Sequence, residues 1–422
     1  MTQRVEISCP VGTVVGYESD GVRHFHSIPY SHIAGPFAKA TKLTPEAVAA
    51  DAVFDAREPR PEAIALTITT PADAPVAGAP VIVYVHGGRY EHGTHEDPRA
   101  EGTATARAGV VHVQVDYRVK LPGLAKLEDD DYFFYRGIHD VMVGLEWVQD
   151  NIEAFGGDPT NVTLVGQSAG ATTALWLARR DHYRGAFRRV VAMSPCYPRQ
   201  SFEERKAHLP RGWEGMDDPG LEKAYGALRK KIRTDMALGP YPLIPEDLAD
   251  IPIVLTSTRE EFYGDPATAR LDRTPARKVL AWWGAPSFDM RRENFSAWLD
   301  LSGAQDRPIG KMVGDSCCRR WVEQVARQAP GPTWMLEFIR SSRPALHSKD
   351  IRFLFGNAYP DADTGEAPVA AHEWLLHYAR TGEPDIPAYG AEHAVTVFNL
   401  ETGERQLKHG ALDYLVQAFG ED

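Results

Sequence analysis

Basic residues, cysteine and long apolar runs are all scarce in this chain, and each shortage removes a class of function. Lys and Arg number 46 against 58 Asp and Glu, a formal charge of −12 over 422 residues. Phosphate backbones demand a concentrated basic surface, so nucleic acid is not an expected partner. Four cysteines, at 9, 196, 317 and 318, are too few for a disulfide framework. The neighbours Cys317 and Cys318 also have poor geometry for an ordinary bridge. Apolar runs such as Ala79–Val85 are far too short to span a bilayer, and no membrane span is expected. The opening MTQRVEISCPVG lacks a basic stretch followed by an apolar one, so no signal peptide is expected and the predicted location is cytoplasmic. The sequons at Asn161 and Asn294 carry no meaning without secretion. No Walker A or dinucleotide fingerprint is present, and no cofactor is expected.

What remains is a chain that is 43% hydrophobic, ample for a large core, with no internal repeat, low-complexity tract or dividing linker. Residues 1–422 are therefore expected to form a single domain. Residues 1–35 read as a β-meander turning at Asp20-Gly21. Further strands are predicted at Ala63–Thr69, Pro80–Val85, Val110–Asp116, Val162–Val165, Arg189–Met193, Ile251–Ser257 and Thr333–Phe338. Helical patterns cover Gly137–Phe155, Ala169–Arg180 and Asp315–Gln328, and from about Glu366 a helix, a strand (AVTVF) and a last helix follow. Near-continuous apolar strands alternating with helices predict an α/β fold, a mostly parallel central sheet covered by helices on both faces. The Pro- and charge-rich stretch 196–250 sits between two core strands and is expected to form a cap-like insertion.

The most informative stretch is 155–171, FGGDPTNVTLVGQSAGA. A Gly- and Asp-rich turn feeds a β-branched run, then Gly166-Gln167-Ser168-Ala169-Gly170, then an Ala-rich helix. G-x-S-x-G between strand and helix is the nucleophile elbow of α/β-hydrolases. The turn is tight enough that positions two before and two after the serine must lack bulk, which glycine supplies. Ser168 is thereby lifted clear of the sheet, and the N–H of Ala169, opening the helix, points at whatever the serine attacks. Upstream, Val83-Tyr84-Val85-His86-Gly87-Gly88-Arg89-Tyr90 places an HGG motif after a strand, the second half of an oxyanion hole. Two such motifs in this order point to acyl transfer.

Together with other phrases, these motifs resemble the type B carboxylesterases, the cholinesterase-like branch of the α/β-hydrolases. SIPYS is similar to that family's GIPYA, YVHGGRY to its HGGGF and VDYRV to its NYR. RGIHDVMVGLEWVQDNIEAFGGDPTNVTLVGQSAGA follows its longest signature, and VLTSTREEF its acid-bearing segment. ALHSKDIRFLFGN resembles the segment with the histidine, and HYARTGEPDIPAY a near-terminal phrase. The departures are Gln167 for Glu, Arg89 for the third Gly of HGGG, and Phe262 for the Gly after the acid. The early Cys loop is missing and the chain is short, as in small bacterial-type members, so recognition loops look trimmed.

The resemblance implies a serine carboxylesterase acting on a small-molecule ester through an acyl-enzyme on Ser168. A free serine is a weak nucleophile and needs a base and an orienting acid, which in this fold follow in the order Ser, Asp/Glu, His. His347 satisfies the order on a loop after TWMLEFI, while His372 and His377 fall inside an apparent helix. Glu261 matches the acid by alignment, with its neighbour Glu260 as competitor. The N–H groups of Gly88, Arg89 and Ala169 are the expected oxyanion donors. Two other readings remain open, an acyltransferase using the same triad and a non-catalytic binding member of the fold.

Weaker signals are also present. The histidines of HEWLLH, 372–377, stand five apart, roughly 140° around a helix, and cannot share one metal on one face. His24 and His26 share a strand face but have no evident third ligand, so no metal site is expected. Trp282-Trp283 reads either as acyl-pocket lining or as plain core. Cys196 falls near the cleft, more in keeping with a buried inert thiol. Arg89 either faces the cleft, where it could select anionic or small-acyl esters, or turns to pair with Glu91, Glu96 or Asp97.

Overall fold

The structure, a computed structural model, describes residues 2–49, 51–232, 235–358 and 369–420. Thirteen strands form one sheet. In chain order they are β1 (Gln3–Cys9), β2 (Gly12–Ser19), β3 (Val22–Ile28), β4 (Val53–Asp55), β5 (Leu66–Pro71), β6 (Ala79–Val85) and β7 (Val111–Val115). There follow β8 (Gly157–Gln167), β9 (Arg189–Met193), β10 (Ile253–Thr258), β11 (Thr333–Ile339), β12 (Ala394–Asn399) and β13 (Arg405–His409). Across the sheet the order is β1-β2-β3-β5-β7-β6-β8-β9-β10-β11-β12-β13, with β4 added beside β2. β7 through β12 pair in parallel; β1, β2, β3, β5 and the β13 edge pair antiparallel within this path.

The pattern of buried residues explains the layering. Along β6, Val81, Val83 and Val85 face one side, where they join α1 (Arg136–Asn151) and α2 (Ala169–Leu177) through Ile138, Trp147, Leu175 and their neighbours. Ile82 and Tyr84 face the other side and join Trp374, Leu375 and Tyr378 of the helix Ala370–Thr381. β6 is thus apolar on both faces, which is why VIVYV reads as a continuous run rather than an alternation. The meander is as expected, three strands with Asp20 (φ 51°) and Gly21 (φ 76°) both left-handed in the β2–β3 turn, the requirement of a type I′ hairpin. Glu366, the expected start of the last section, lies outside the described residues.

One expectation is extended by the structure and one is corrected. The 196–250 stretch does hold short helices, including Asp218–Lys231, but it is not the only insertion. Residues 259–332, between β10 and β11, carry a second set: Pro266–Asp272, Arg277–Gly284, Phe295–Leu301, Pro308–Gly314 and Arg320–Gln328. Trp282 and Trp283 are neither core nor pocket: they are 39% and 62% exposed, with the Arg292 guanidinium 5.0 Å from each ring. Their helix has only Ala281 fully buried, so a hydrophobic side-chain pair there finds no layer to join.

Candidate active site

Ser168 stands between β8 and α2 with φ 55° and ψ −118°, outside the regions that non-glycine residues ordinarily occupy. Sterics force the turn. A Cβ on Gly166 would run into the carbonyl of Gly170, and one on Gly170 into the carbonyl of Val85. The elbow is tied down by Ser168 N donating to Met193 O (2.8 Å), which fixes it over the ends of β8 and β9. On the facing loop, Gly88, Arg89 and Tyr90 all have positive φ, at 112°, 61° and 59°. Consecutive left-handed residues turn successive N–H groups toward one point. Among the described residues the N–H groups of Gly88, Arg89 and Ala169 have no backbone acceptor outside regular helices and strands.

His347 and Glu261 meet behind the serine. Two loops bring them there, one leaving β10 and the other leaving β11, and three hydrogen bonds stitch them together. His347 N donates to Glu261 O (2.8 Å), Glu260 N to Ala345 O (3.2 Å), and Ala345 N to the Glu260 carboxylate (2.8 Å). Adjacent residues on this turn point opposite ways. Glu261 Oε2 lies 2.6 Å from His347 Nδ1, while its Oε1 accepts from Ser194 Oγ (2.7 Å) and Thr258 N (2.8 Å). Glu260 instead serves the backbone of the histidine loop.

A buried ionic network fixes the same turn from below. Arg319 donates to the carbonyls of Thr258 and Arg259 and pairs with Glu337 (2.7 Å) and Asp315 (3.2 Å); Lys311 donates to Arg259 O (3.3 Å). Burial raises the Glu337 pKa, but Arg319 and Arg259 overcome that and hold it at about 2. Arg319 belongs to a π-helical turn, Asp315–Arg319, where the sequence suggested plain helix. The wider turn sets Asp315 and Arg319 inward and Cys318 toward His347.

The electrostatics of the pair are strongly coupled. Burial lowers the His347 pKa, but the Glu261 carboxylate and its hydrogen bond more than reverse this and raise it to about 9. Burial likewise raises Glu261, and the His347 charge with three hydrogen bonds brings it below its ordinary value. Asp350, fully buried with neither carboxylate oxygen hydrogen-bonded, is pushed up to about 7 by burial and by Glu261.

Three contacts at the site were missed from sequence. Gln167, where the family pattern has Glu, places its amide Nε2 3.3 Å from His347 Nε2, which accepts from the amide when the ring is neutral. Phe262, in place of Gly, stacks on the His347 ring at 5.1 Å between centroids. Cys196 and Cys318, 122 residues apart, lie with sulfurs 2.7 Å from one another; Ser168 Oγ donates to Cys196 Sγ at 3.7 Å, and Cys318 Sγ is 4.0 Å from His347 Nδ1. Burial raises the Cys196 pKa, but the Cys318 hydrogen bond and the His347 charge outweigh it and lower it. Cys196 is therefore not the isolated inert thiol expected. All four cysteines are free. Cys196, Cys318 and His347 form the one trio of possible metal ligands among the described residues. Sequence spacing carries no sign of it, because 196 and 347 sit on two separate loops and 318 in the π-helical turn.

Ser168 and His347 open into a cavity of about 500 Å³, lined by Met236, Phe262, Leu280, Phe288, Ile309 and Met312 among others. Most of that lining comes from the second insertion. Arg89 lines it too, and does not pair with any of the three acids considered for it. His372 and His377 lie elsewhere: His372 Nδ1 bonds to Leu354 O, and His377 contacts Thr381. His26 meets Glu96 at 2.9 Å, and its ring is 6.3 Å from that of His24.

Comparison with known proteins agrees with this architecture. The carboxylesterase family model matches residues 2–208, and a putative-esterase model matches residues 145–285. Fumonisin B1 esterase of Sphingopyxis macrogoltabida is 27% identical over 70% of this chain, which spans 62% of that protein's length. Para-nitrobenzyl esterase of Bacillus subtilis is 29% identical over 77% of this chain and 76% of its own. Among solved structures, a carboxylesterase of Geobacillus stearothermophilus superposes with a TM-score of 0.80 at 23% identity, covering 99% of this chain and 100% of its own. The fold is that of the α/β-hydrolases. Within that fold the chain is similar to the carboxylesterase family.

Proposed function

We propose that this chain hydrolyses carboxylic esters of small molecules through an acyl-enzyme on Ser168, with His347 as the base, Glu261 as its orienting acid, and residues 1–422 acting as one domain. The observation that carries the reading is the 2.6 Å Glu261–His347 pair, set beside the elbow serine in one apolar cavity. Glu261 holds the proton on Nδ1, which leaves Nε2 as the accepting nitrogen. In the resting geometry Gln167 occupies Nε2 and the Ser168 hydroxyl rests on Cys196, so substrate entry has to draw both into line; catalytic hydrogen bonds often tighten only in the complex. Ser168 Oγ then attacks the carbonyl as His347 takes its proton, and the N–H groups of Gly88, Arg89 and Ala169 receive the oxyanion. His347 returns the proton to the leaving alcohol, and water repeats the sequence to release the acid.

No helix among the described residues is long and apolar enough to cross a membrane. Four free thiols suit a reducing compartment, and we assign the enzyme to the cytoplasm. The test is Ser168→Ala together with an organophosphate. Hydrolysis should fall to background in the variant, and mass spectrometry should find the phosphoryl adduct on Ser168. An adduct on another serine would overturn the assignment.

A further inference from the structure

An apolar cavity lined by an arginine cation that no carboxylate pairs suits an apolar molecule that bears an anion. Arg89 supplies that cation, on the residue whose N–H faces the reacting carbonyl. Its guanidinium donates to the carbonyl of Asp235 at 3.2 Å, and among the described residues no carboxylate oxygen lies within 4 Å of it. The acids near it in sequence are all occupied elsewhere. Glu91 pairs with Arg229 (2.9 Å), Glu96 with His26 (2.9 Å), and Asp97 with Arg99 (2.8 Å).

The two carboxylates that line the same cavity are also committed. Asp235 accepts from Arg199 N (2.9 Å) and Met236 N (2.8 Å) and pairs with Arg205. Asp265 caps a helix by accepting from Ala267 N (3.0 Å) and Thr268 N (2.9 Å). Arg89 is half-buried and bonds one protein carbonyl, which leaves donors of its planar fork free for a ligand, and such a fork prefers a carboxylate. Its backbone conformation, φ 61°, is one glycine would adopt without strain, so the side chain is held here against a local penalty.

We infer that Arg89 forms an anion subsite in the acyl cavity, and that the preferred substrates are esters carrying a carboxylate on an otherwise apolar acyl group. This rests on the esterase reading above. The carboxylate lies within one arginine side chain of the scissile carbonyl, because the same residue faces both. It forms paired charge-assisted hydrogen bonds with the guanidinium while the methylene chain contacts Met236, Phe288 and Met312.

The experiment compares the para-nitrophenyl monoester of adipic acid with its isostere, in which an isopropyl group replaces the carboxylate. Values of kcat/KM are measured for wild type, Arg89→Lys and Arg89→Gln. Any change in the oxyanion loop alters both esters alike and cancels in the ratio of anionic to neutral rates. That ratio should fall about 10- to 100-fold in Arg89→Gln, the range of one charge-assisted contact, and recover in part in Arg89→Lys. A ratio unchanged in Arg89→Gln overturns the subsite while leaving the esterase reading intact. Hydrolysis of neither ester by wild type overturns both. Should Arg89→Gln fail to fold, the wild type still decides, through a third isostere with a dimethylammonium end. The subsite requires rates in the order anion, neutral, cation, and a cation hydrolysed as fast as the anion refutes it.

Discussion

Replacing Glu261 by Gln separates two effects of one carboxylate, and the pH dependence tells them apart. With Glu261 in place the His347 pKa is about 9. At pH 7, two units lower, roughly one molecule in a hundred has a neutral imidazole able to accept the serine proton. Without the carboxylate, burial is opposed only by the smaller effects of Cys196 and Asp350, and the His347 pKa should fall toward its ordinary 6.5. The acid limb of kcat/KM should therefore move from near pH 9 in wild type toward pH 6.5 in the variant. The plateau should drop by about 1000- to 10,000-fold, because the tautomer and the balancing charge are both lost. At pH 7 the variant already sits on its plateau while wild type works at about a hundredth of its own, so the net loss there is only about 10- to 100-fold. Stability follows the same pair. A raised histidine pKa contributes fully below 6.5 and is lost as pH rises through about 9; a lowered carboxylate contributes above its ordinary 4.5 and is lost as pH falls through its folded value. Below pH 6.5 the histidine side is worth on the order of 3 kcal/mol, and the gap between wild type and variant in denaturant unfolding should narrow as pH rises from 6.5 through about 9. Initial rates from about pH 5 to about pH 10, with Glu260→Gln as the control that keeps the limb near 9, provide the assay. A limb left near 9 in Glu261→Gln, or a plateau within tenfold of wild type, would refute the reasoning.

Two further outcomes follow from the surroundings of this pair. Gln167→Glu puts a carboxylate within reach of His347 Nε2, so the acid limb should move above that of wild type and the rate at pH 8 should fall by about tenfold for each unit moved, read from the same pH series. Arg319→Met removes the cation between Asp315 and Glu337, so unfolding in urea should lose about 3–5 kcal/mol with an unchanged slope; a loss under 1 kcal/mol would mean that Lys311 and Arg259 suffice.

The parts legible in the sequence are those written in short-range chemistry. GQSAG carries its own steric demand, and the structure meets it through the carbonyls of Gly170 and Val85. Most strands from β6 to β11 stand out as apolar runs, with boundaries displaced by at most five residues and β9 not displaced at all. What was not legible depends on loops meeting. The Cys196–Cys318 contact joins residues 122 apart, and no periodicity links them. The second insertion, 259–332, lies between two legible strands, but its helices Pro266–Asp272, Arg277–Gly284 and Phe295–Leu301 bury few residues each, so its pattern reads as surface although it lines the cavity. Gln167 and Phe262 were visible as departures from the family pattern, but their contact with His347 is a property of the packed turn.

The conformation of Ser168 has a consequence for how this protein can change over generations. Its φ of 55° with ψ of −118° costs a side-chain-bearing residue about 1–3 kcal/mol, a penalty glycine escapes. At this position, then, the more stable residue is one that has no hydroxyl. Substitutions that strengthen the fold and substitutions that abolish the chemistry coincide here, and drift under selection for folding alone would run toward a silent scaffold.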